Sequence, residues 1–409
     1  MSTIRRIALV YREVGTIGGI QKTAALLESW LREWGYSVEV FSERDLGAGT
    51  ERRENLGRIL NEGRFDLVVD NDTYVEDKLR ADISAAQEAG AKIVAVWHSV
   101  FSWMLALGLA KASRIFSAIR KADAVIALSP SDEAAFRTLG CRSLFIPGVD
   151  NDRMPHFVRN DHPHRIIWIG RLVDLKQPLD AVRIVEKVRA AVPDAVLEML
   201  GDGNENVKAK IDRYVASRPL LKDAVRLCGY VKDVDRHLTD AGIGLVTSEF
   251  EGFCHAIVEM KMASLPVVSY AMPYLETLKE GTGAVQVPQG DVDAAAVEIV
   301  KLFSDSDLCA RQGRMARCSY EELAAFDHRK AYERLFADLA KPQGESSLLS
   351  VDPVAARNAM RVLIEHAQMG FKAVKERMKE QARDNESRKG PIGAIGRFLI
   401  KVGRRLARP

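Results

Sequence analysis

The 409-residue chain has only five cysteines: Cys141, Cys228, Cys254, Cys309 and Cys318. Their odd number and wide scatter offer neither a disulfide framework nor a zinc-ligand spacing, and suit a reducing cytoplasm. No apolar run approaches the roughly 20 residues needed to cross a bilayer. The N-terminus carries Arg5 and Arg6 without a long apolar stretch, so it reads as a first strand and not as a signal peptide. The dinucleotide spacing G-x-G-x-x-G is missing from the turn after that strand, which reads Gly15-Thr16-Ile17-Gly18-Gly19. Compositional extremes are missing too: 47% of residues are hydrophobic and 28% charged, as in soluble globular proteins. The length suffices for two ordinary domains.

The net charge of +3 is unevenly spread. Residues 341–409 hold 15 Lys/Arg and 7 Asp/Glu, a net of +8, while the rest of the chain nets −5. A basic tail asks for an anionic partner. Residues 352–385 read as helical, with Met360, Leu363, Ala367, Phe371, Val374 and Met378 on one stripe, a surface that would suit packing on the body or on a second copy of the chain. Over 392–409, Ile395, Leu399, Val402 and Leu406 share a face that Arg397, Lys401, Arg404, Arg405 and Arg408 flank. Charge accompanied by an apolar stripe favours an anionic membrane surface over nucleic acid, for which no binding signature is present.

Apolar, β-branched runs alternate with amphipathic segments through the first 300 residues. The pattern predicts strands at 4–11, 37–41, 67–70, 93–97, 124–128 and 144–146, with helices such as 20–34, 75–89 and 131–139 between them. It breaks at Pro147-Gly148-Val149-Asp150, and a polar stretch containing Pro155 and Pro163 follows. Strands resume at 166–169, 196–200, 225–228, 243–247, 267–270 and 284–287. Two doubly wound parallel-sheet (Rossmann-like) α/β domains, 1–147 and 164–320, are expected on either side of a 148–163 linker. Ligands of such folds bind outside the carboxyl ends of the strands, so the cleft between the domains is the expected site.

Several residues sit at those strand ends. Gly18 and Gly19 precede a helix whose N-terminus could receive a phosphate, although a plain tight turn is as good a reading. Arg171 and Lys176 share a loop after 166–169 and together could neutralise a diphosphate, the arginine as a planar fork and the lysine as a point charge. Gly201-Asp202-Gly203 and Gly229-Tyr230-Val231 are turns able to frame a nucleotide through the backbone. His98 follows the 93–97 run at the same kind of edge. Glu251 lies in the loop Ser248-Glu249-Phe250-Glu251-Gly252-Phe253, and Glu259 follows eight positions later on a helix. Singly, each is more simply a solvated loop or helix residue.

Together, these features resemble glycosyltransferase family 4, retaining nucleotide-sugar transferases of the GT-B fold. The resemblance runs over about residues 4–340 and rests on Gly170-Arg171-Leu172 with Lys176, Gly201-Asp202-Gly203, Gly229-Tyr230-Val231, Glu251-Gly252-Phe253 with Glu259, and Pro266-Val267-Val268. It implies that Arg171 and Lys176 hold the donor pyrophosphate and Glu259 the ribose. Glu251 would meet hydroxyls of the transferred sugar, aided by the Gly252 and Phe253 backbone. Gly18 and Gly19 would approach the phosphates from the first domain, with Gly201, Tyr230 and Val231 around the nucleotide and His98 near the reacting sugar. It further implies an acceptor-side first domain, a nucleotide-sugar-binding second domain, and a helix within 321–340 that crosses back to the first. The remaining 341–409 would be a basic helical extension. The donor would be a nucleotide-sugar, a UDP-sugar first, and the acceptor a glycan or lipid-linked glycan of bacterial surface polysaccharide or glycoconjugate synthesis. No cofactor is implied and no metal requirement. Localisation would be cytoplasmic, peripheral to the inner face of the plasma membrane.

The chain departs from the family pattern at Met260-Lys261-Met262 with Ser264, at His255, at the Pro147-Gly148 hinge, and at Tyr270-Ala271-Met272-Pro273-Tyr274, where many members have a glycine-rich phosphate loop. A glycoside hydrolase also uses paired carboxylates, but the cations and glycine turns suit a phosphorylated donor better. A GT-B nucleotide-sugar epimerase and a non-catalytic nucleotide-sugar-binding scaffold stay open at this level.

Overall fold

The computed structural model describes residues 4–12, 18–73, 76–149 and 164–369. The linker at 150–163, Gly15 to Ile17, Val75, the 352–385 stripe beyond 369 and the basic helix expected over 392–409 lie outside the described residues.

Two six-stranded sheets form the frame. The first contains β1 (Arg6–Val10), β2 (Ser37–Phe41), β3 (Leu67–Asp70), β4 (Lys92–Val96), β5 (Ala124–Ala127) and β6 (Ser143–Phe145), in the order β2-β1-β3-β4-β5-β6. The second contains β7 (Arg165–Ile169), β8 (Val196–Leu200), β9 (Val225–Gly229), β10 (Ile243–Val246), β11 (Val267–Tyr270) and β12 (Ala284–Val287), in the order β12-β11-β10-β7-β8-β9. Every neighbouring pair is parallel. The central strands are buried along their whole length, as in β3 and β10, because helices cover both faces.

Strand order fixes where each sheet can bind a ligand. In the first sheet the order reverses between β1 and β3, and in the second between β7 and β10. At such switch points the loops from adjacent strands turn to opposite faces and leave a crevice at the carboxyl edge. The residues following β3, β7 and β10 therefore line the two crevices.

Local chemistry sets the helix starts. Pro178 opens the Pro178–Val188 helix, where its fixed φ and missing N–H cost nothing. Asp291, Asp305 and Asp327 each accept a backbone N–H at the start of the Val292–Ser304, Ser306–Ala324 and His328–Leu339 helices.

The chain crosses back after the second domain. The Ser306–Ala324 helix packs beside the His255–Met262 helix, breaks at Ala325 to Asp327, and is followed by the His328–Leu339 helix. That last helix lays Tyr332, Leu335, Phe336 and Leu339 on the face of the first sheet formed by Ile7, Leu9, Val69 and Val94. The opposite face joins an apolar core shared by both domains, from Val10, Trp97 and Phe101 to Phe250, Ile257 and Tyr274. A further helical stretch over 353–369 contributes Leu363 to this shared core. Among the described residues no helix is long and apolar enough to cross a membrane.

Phe336 is buried and meets Tyr36 edge-on at 5.4 Å. Replacing it with alanine should cost about 3–5 kcal/mol of stability, the usual range for a buried aromatic. Urea unfolding of Phe336→Ala tests this; a loss below about 1 kcal/mol would mean that the crossing helix is dispensable to the first domain.

Candidate active site

The loop after β10 carries the two carboxylates and is held from three sides. Thr247 Oγ1 accepts from Trp168 Nε1 (3.0 Å) and donates to the Lys176 carbonyl (2.7 Å). Glu249 N–H donates to the Leu175 carbonyl (3.0 Å), so the loops following β7 and β10 are tied together. Tyr274 brackets Glu251: its hydroxyl accepts from the Glu251 N–H (3.0 Å) and donates to the Glu251 carbonyl (2.9 Å). Gln289 spans the neighbouring carbonyls of Ser248 (3.2 Å) and Ala271 (3.1 Å). Cys254 then enters the left-handed region, φ 61°, and turns the chain into the His255–Met262 helix.

Glu251 and Lys176 form a buried ion pair, and Ser248 Oγ donates to the same carboxylate oxygen at 2.5 Å. Burial works against the Lys176 ammonium, but the Glu251 charge and hydrogen bond outweigh it and hold the lysine above its ordinary pKa. Burial also pushes the Cys254 thiol up, so it stays protonated beside this pair. Arg171 is exposed at the mouth, close enough to oppose the Lys176 charge, and makes no ion pair among the described residues.

The first domain meets this edge almost backbone to backbone. A Cβ on Gly252 would lie 2.6 Å from the His98 carbonyl oxygen, and one on Gly19 would lie 2.9 Å from His255 Cδ2. Lys22 Nζ reaches Glu259 at 2.6 Å, and Thr23 Oγ1 lies 2.8 Å from His255 Nε2. Since the Thr23 hydroxyl donates to the Gly19 carbonyl, His255 donates from Nε2. Burial, then the Lys22 charge, brings the His255 pKa down to about 3. His98 is likewise lowered to about 3 by burial and by the proximity of His255, and its Nε2 meets Asn71 Oδ1 at 2.9 Å. Two neutral imidazoles thus flank the cleft.

The structure brings together most of the residues singled out in the sequence. Glu251, Lys176, Arg171, Glu259, Gly252, Phe253, His98 and Gly19 gather where the two carboxyl edges meet. The glycine turns also hold the sheet edge together. A Cβ on Gly201 would lie 1.9 Å from the Gly170 carbonyl oxygen, and Gly201 itself bridges to Gly229. A Cβ on Gly203 would lie 2.6 Å from the Leu172 carbonyl oxygen. Tyr230 stands half-exposed beyond β9, and Val231 packs on the shared core. Gly18 precedes the first helix with extended backbone.

Sequence reasoning missed the polar floor under His98. Asp70 ends β3 and Asn71-Asp72 follow it at the first sheet's switch point, all buried. Arg52 pairs with Asp82 through two 2.7 Å hydrogen bonds and lies 3.5 Å from Asp72, while Lys78 bridges Asp72 (3.0 Å) and Glu43 (2.9 Å). Burial and the Asp82 charge hold the Asp70 carboxyl well above the usual range. Asn71 Nδ2 and Asp72 Oδ1 are buried without a hydrogen-bond partner among the described residues. The available signal was a polar run, Asp70-Asn71-Asp72, that starts on the last residue of an apolar strand. Lys22, Tyr274 and Ser248 gave no comparable signal.

The family model for group 1 glycosyl transferases matches residues 163–305, which takes in β7 to β12 and the Glu251 loop. The second domain carries the similarity to group 1 glycosyl transferases. The chain is 27% identical over 246 residues to exopolysaccharide phosphotransferase SCO2592 of Streptomyces coelicolor, covering 59% of this chain and 26% of that protein. It is 24% identical over 200 residues to poly(glycerol-phosphate) alpha-glucosyltransferase of Bacillus subtilis, covering 47% and 29%. The match thus spans under a third of either relative. Solved structures agree on the fold across both domains. Anabaena Alr3699/HepE in complex with UDP-glucose superposes with a TM-score of 0.65 at 18% identity, over 81% of this chain and 99% of that one. The pneumococcal O-GlcNAc transferase GtfA in complex with UDP and GlcNAc gives 0.67 at 11% identity, over 83% and 100%. The architecture is GT-B.

His255 of the second domain offers a pH test. Unfolded, an exposed histidine titrates near pH 6.5; folded, His255 stays neutral down to about 3. Its contribution to stability is complete above pH 6.5 and is lost as pH falls toward 3, because only the unfolded chain takes up the proton. Between pH 6.5 and 4 the wild type should lose about 3 kcal/mol more than His255→Gln. Other buried groups, such as Asp70, titrate in both proteins and cancel. Parallel stability curves across that window would show that His255 is protonated in the fold.

Proposed function

We propose that the protein is a retaining glycosyltransferase that moves a sugar from a nucleoside-diphosphate donor, a UDP-sugar first, to a glycan or lipid-linked acceptor. One observation carries the reading: Glu251, Lys176, Arg171 and Glu259 converge at the β7/β10 switch point, facing His98 of the other domain. The named activities of the two bacterial relatives, and the UDP-bound neighbours, support assembly of bacterial cell-surface polysaccharide or glycoconjugate as its setting.

In this reading the donor diphosphate takes Lys176 and Arg171 as ligands. Breaking the bond between anomeric carbon and phosphate builds positive charge on the sugar ring and negative charge on the leaving diphosphate. The two cations stabilise the latter, so the reaction calls for neither metal nor cofactor. Glu259 binds the ribose hydroxyls, exchanging its contact with Lys22. Glu251, released from Lys176, accepts from hydroxyls of the moving sugar. His98, neutral and oriented by Asn71, lies at the reacting end. The acceptor enters over the first domain, above the buried Asn71–Asp72 floor that orients His98. The leaving phosphate oxygen takes the acceptor proton on the departing face, which gives retention. A cytoplasmic enzyme attached to an anionic membrane by its basic tail completes the proposal; self-association through 352–385 drops out of it, because Met360, Leu363 and Ala367 of that stripe pack on the chain's own body.

Glu259→Ala should weaken donor binding about tenfold, or 1.4 kcal/mol, with kcat little changed. Glu251→Ala should lower kcat about 100-fold while donor Kd moves less than threefold, because its contacts strengthen only as the sugar departs. A thermal-shift panel of UDP-, GDP- and ADP-sugars selects the donor, and calorimetry with product analysis then reads both variants. The reverse pattern would exchange the two roles. Conversion of donor alone, without acceptor, would replace the transferase by an epimerase.

A further inference from the structure

His366 comes from the helical stretch 353–369, outside the segment that matches the transferase family, yet it is fully buried where the two domains meet. Its Nδ1 lies 3.0 Å from Ser102 Oγ of the first domain's Phe101–Ala106 helix. Its ring meets Phe250 edge-on at 5.0 Å and Tyr274 at 4.8 Å, both from the second domain. Phe250 immediately precedes Glu251, and Tyr274 holds Glu251 N–H and carbonyl with one hydroxyl. Leu363, one turn earlier, is buried in the shared core, with Met360 and Val362 packed against it. Burial lowers the His366 pKa to about 4, partly countered by the Ala271 and Glu249 carbonyls, so the ring is a neutral wedge at physiological pH.

We propose that His366 is a positioning residue for Glu251: it backs the Phe250–Glu251–Tyr274 unit and anchors it to Ser102 of the opposite domain. The C-terminal extension is thereby part of the working site. It makes the geometry of the Glu251 loop depend on domain contact and on a helix that the family core does not supply. The catalytic consequence rests on the role proposed for Glu251; the positioning itself does not.

The test uses full-length His366→Ala and Ser102→Ala, the second keeping the aromatic wedge and losing only its anchor. In His366→Ala, hydrogen exchange of amides 249–253 should accelerate tenfold or more, while amides of β7 stay protected. Ser102→Ala should accelerate the same amides about threefold. UDP affinity should change less than twofold, kcat with the identified donor should fall about tenfold, and His366→Ala should add nothing to Glu251→Ala. Unchanged exchange at 249–253 in both variants overturns the proposal. Faster exchange there, with Glu251→Ala fully active, upholds the positioning and rejects the role given to Glu251. A fall in UDP affinity matching the fall in kcat would make His366 a general structural residue and overturn the proposal.

Discussion

Any side chain at position 252 would press on the His98 carbonyl, so the loop bearing Glu251 can face the first domain only as bare backbone. Gly19 repeats the constraint against His255, and Gly148 repeats it against Thr23. The first two approaches bring two independently wound sheets to one set of carboxyl edges, and the third seats the start of the linker on the first helix. Lys22 to Glu259 and Thr23 to His255 then become hydrogen-bonding distances instead of a gap across water. The rest of the site follows from that closeness. Burial neutralises both histidines, and low local polarity strengthens each remaining charge contact.

Rigidity on the second-domain side has a different origin. The Glu251 backbone is bonded at both N–H and carbonyl by a single tyrosine hydroxyl, while Trp168, Thr247 and the 175–177 turn lock the adjacent loop. Many members of the resembling family have a glycine-rich loop where this chain has Tyr270 to Tyr274. Here that segment acts through a side chain, from behind the carboxylate. The polar floor of the first domain is built in the opposite way, from ion pairs. A bidentate Arg52–Asp82 pair and Lys78 fix Asp72 beneath His98. Such buried pairs add little net stability against apolar packing, so their value lies in fixed orientation.

Much of this was readable in the chain. Parallel strands buried on both faces leave continuous β-branched runs, so β2, β3, β8, β11 and β12 match their expected bounds residue for residue. The residues at strand ends were equally legible, because a polar or glycine residue after such a run has few places to be other than the carboxyl edge. What the residues alone could not reveal is contact between segments far apart in sequence. Nothing about Lys22 announces a carboxylate 237 positions away, nor about His366 a serine 264 positions away. Gly201 and Gly203 were visible as turns, but their tight packing on Gly170 and Leu172 belongs to the tertiary fold.

The two lysine–glutamate contacts carry one more implication. Each carboxylate of the site already has an ammonium partner, Lys176 for Glu251 and Lys22 for Glu259. Under the proposed function, a diphosphate donor arriving here would trade partners within a balanced set of charges. Selectivity then lies in the match between incoming anion and displaced carboxylates: a ligand with hydroxyls but no phosphate leaves the lysines where they are, and a phosphate without hydroxyls strands both glutamates.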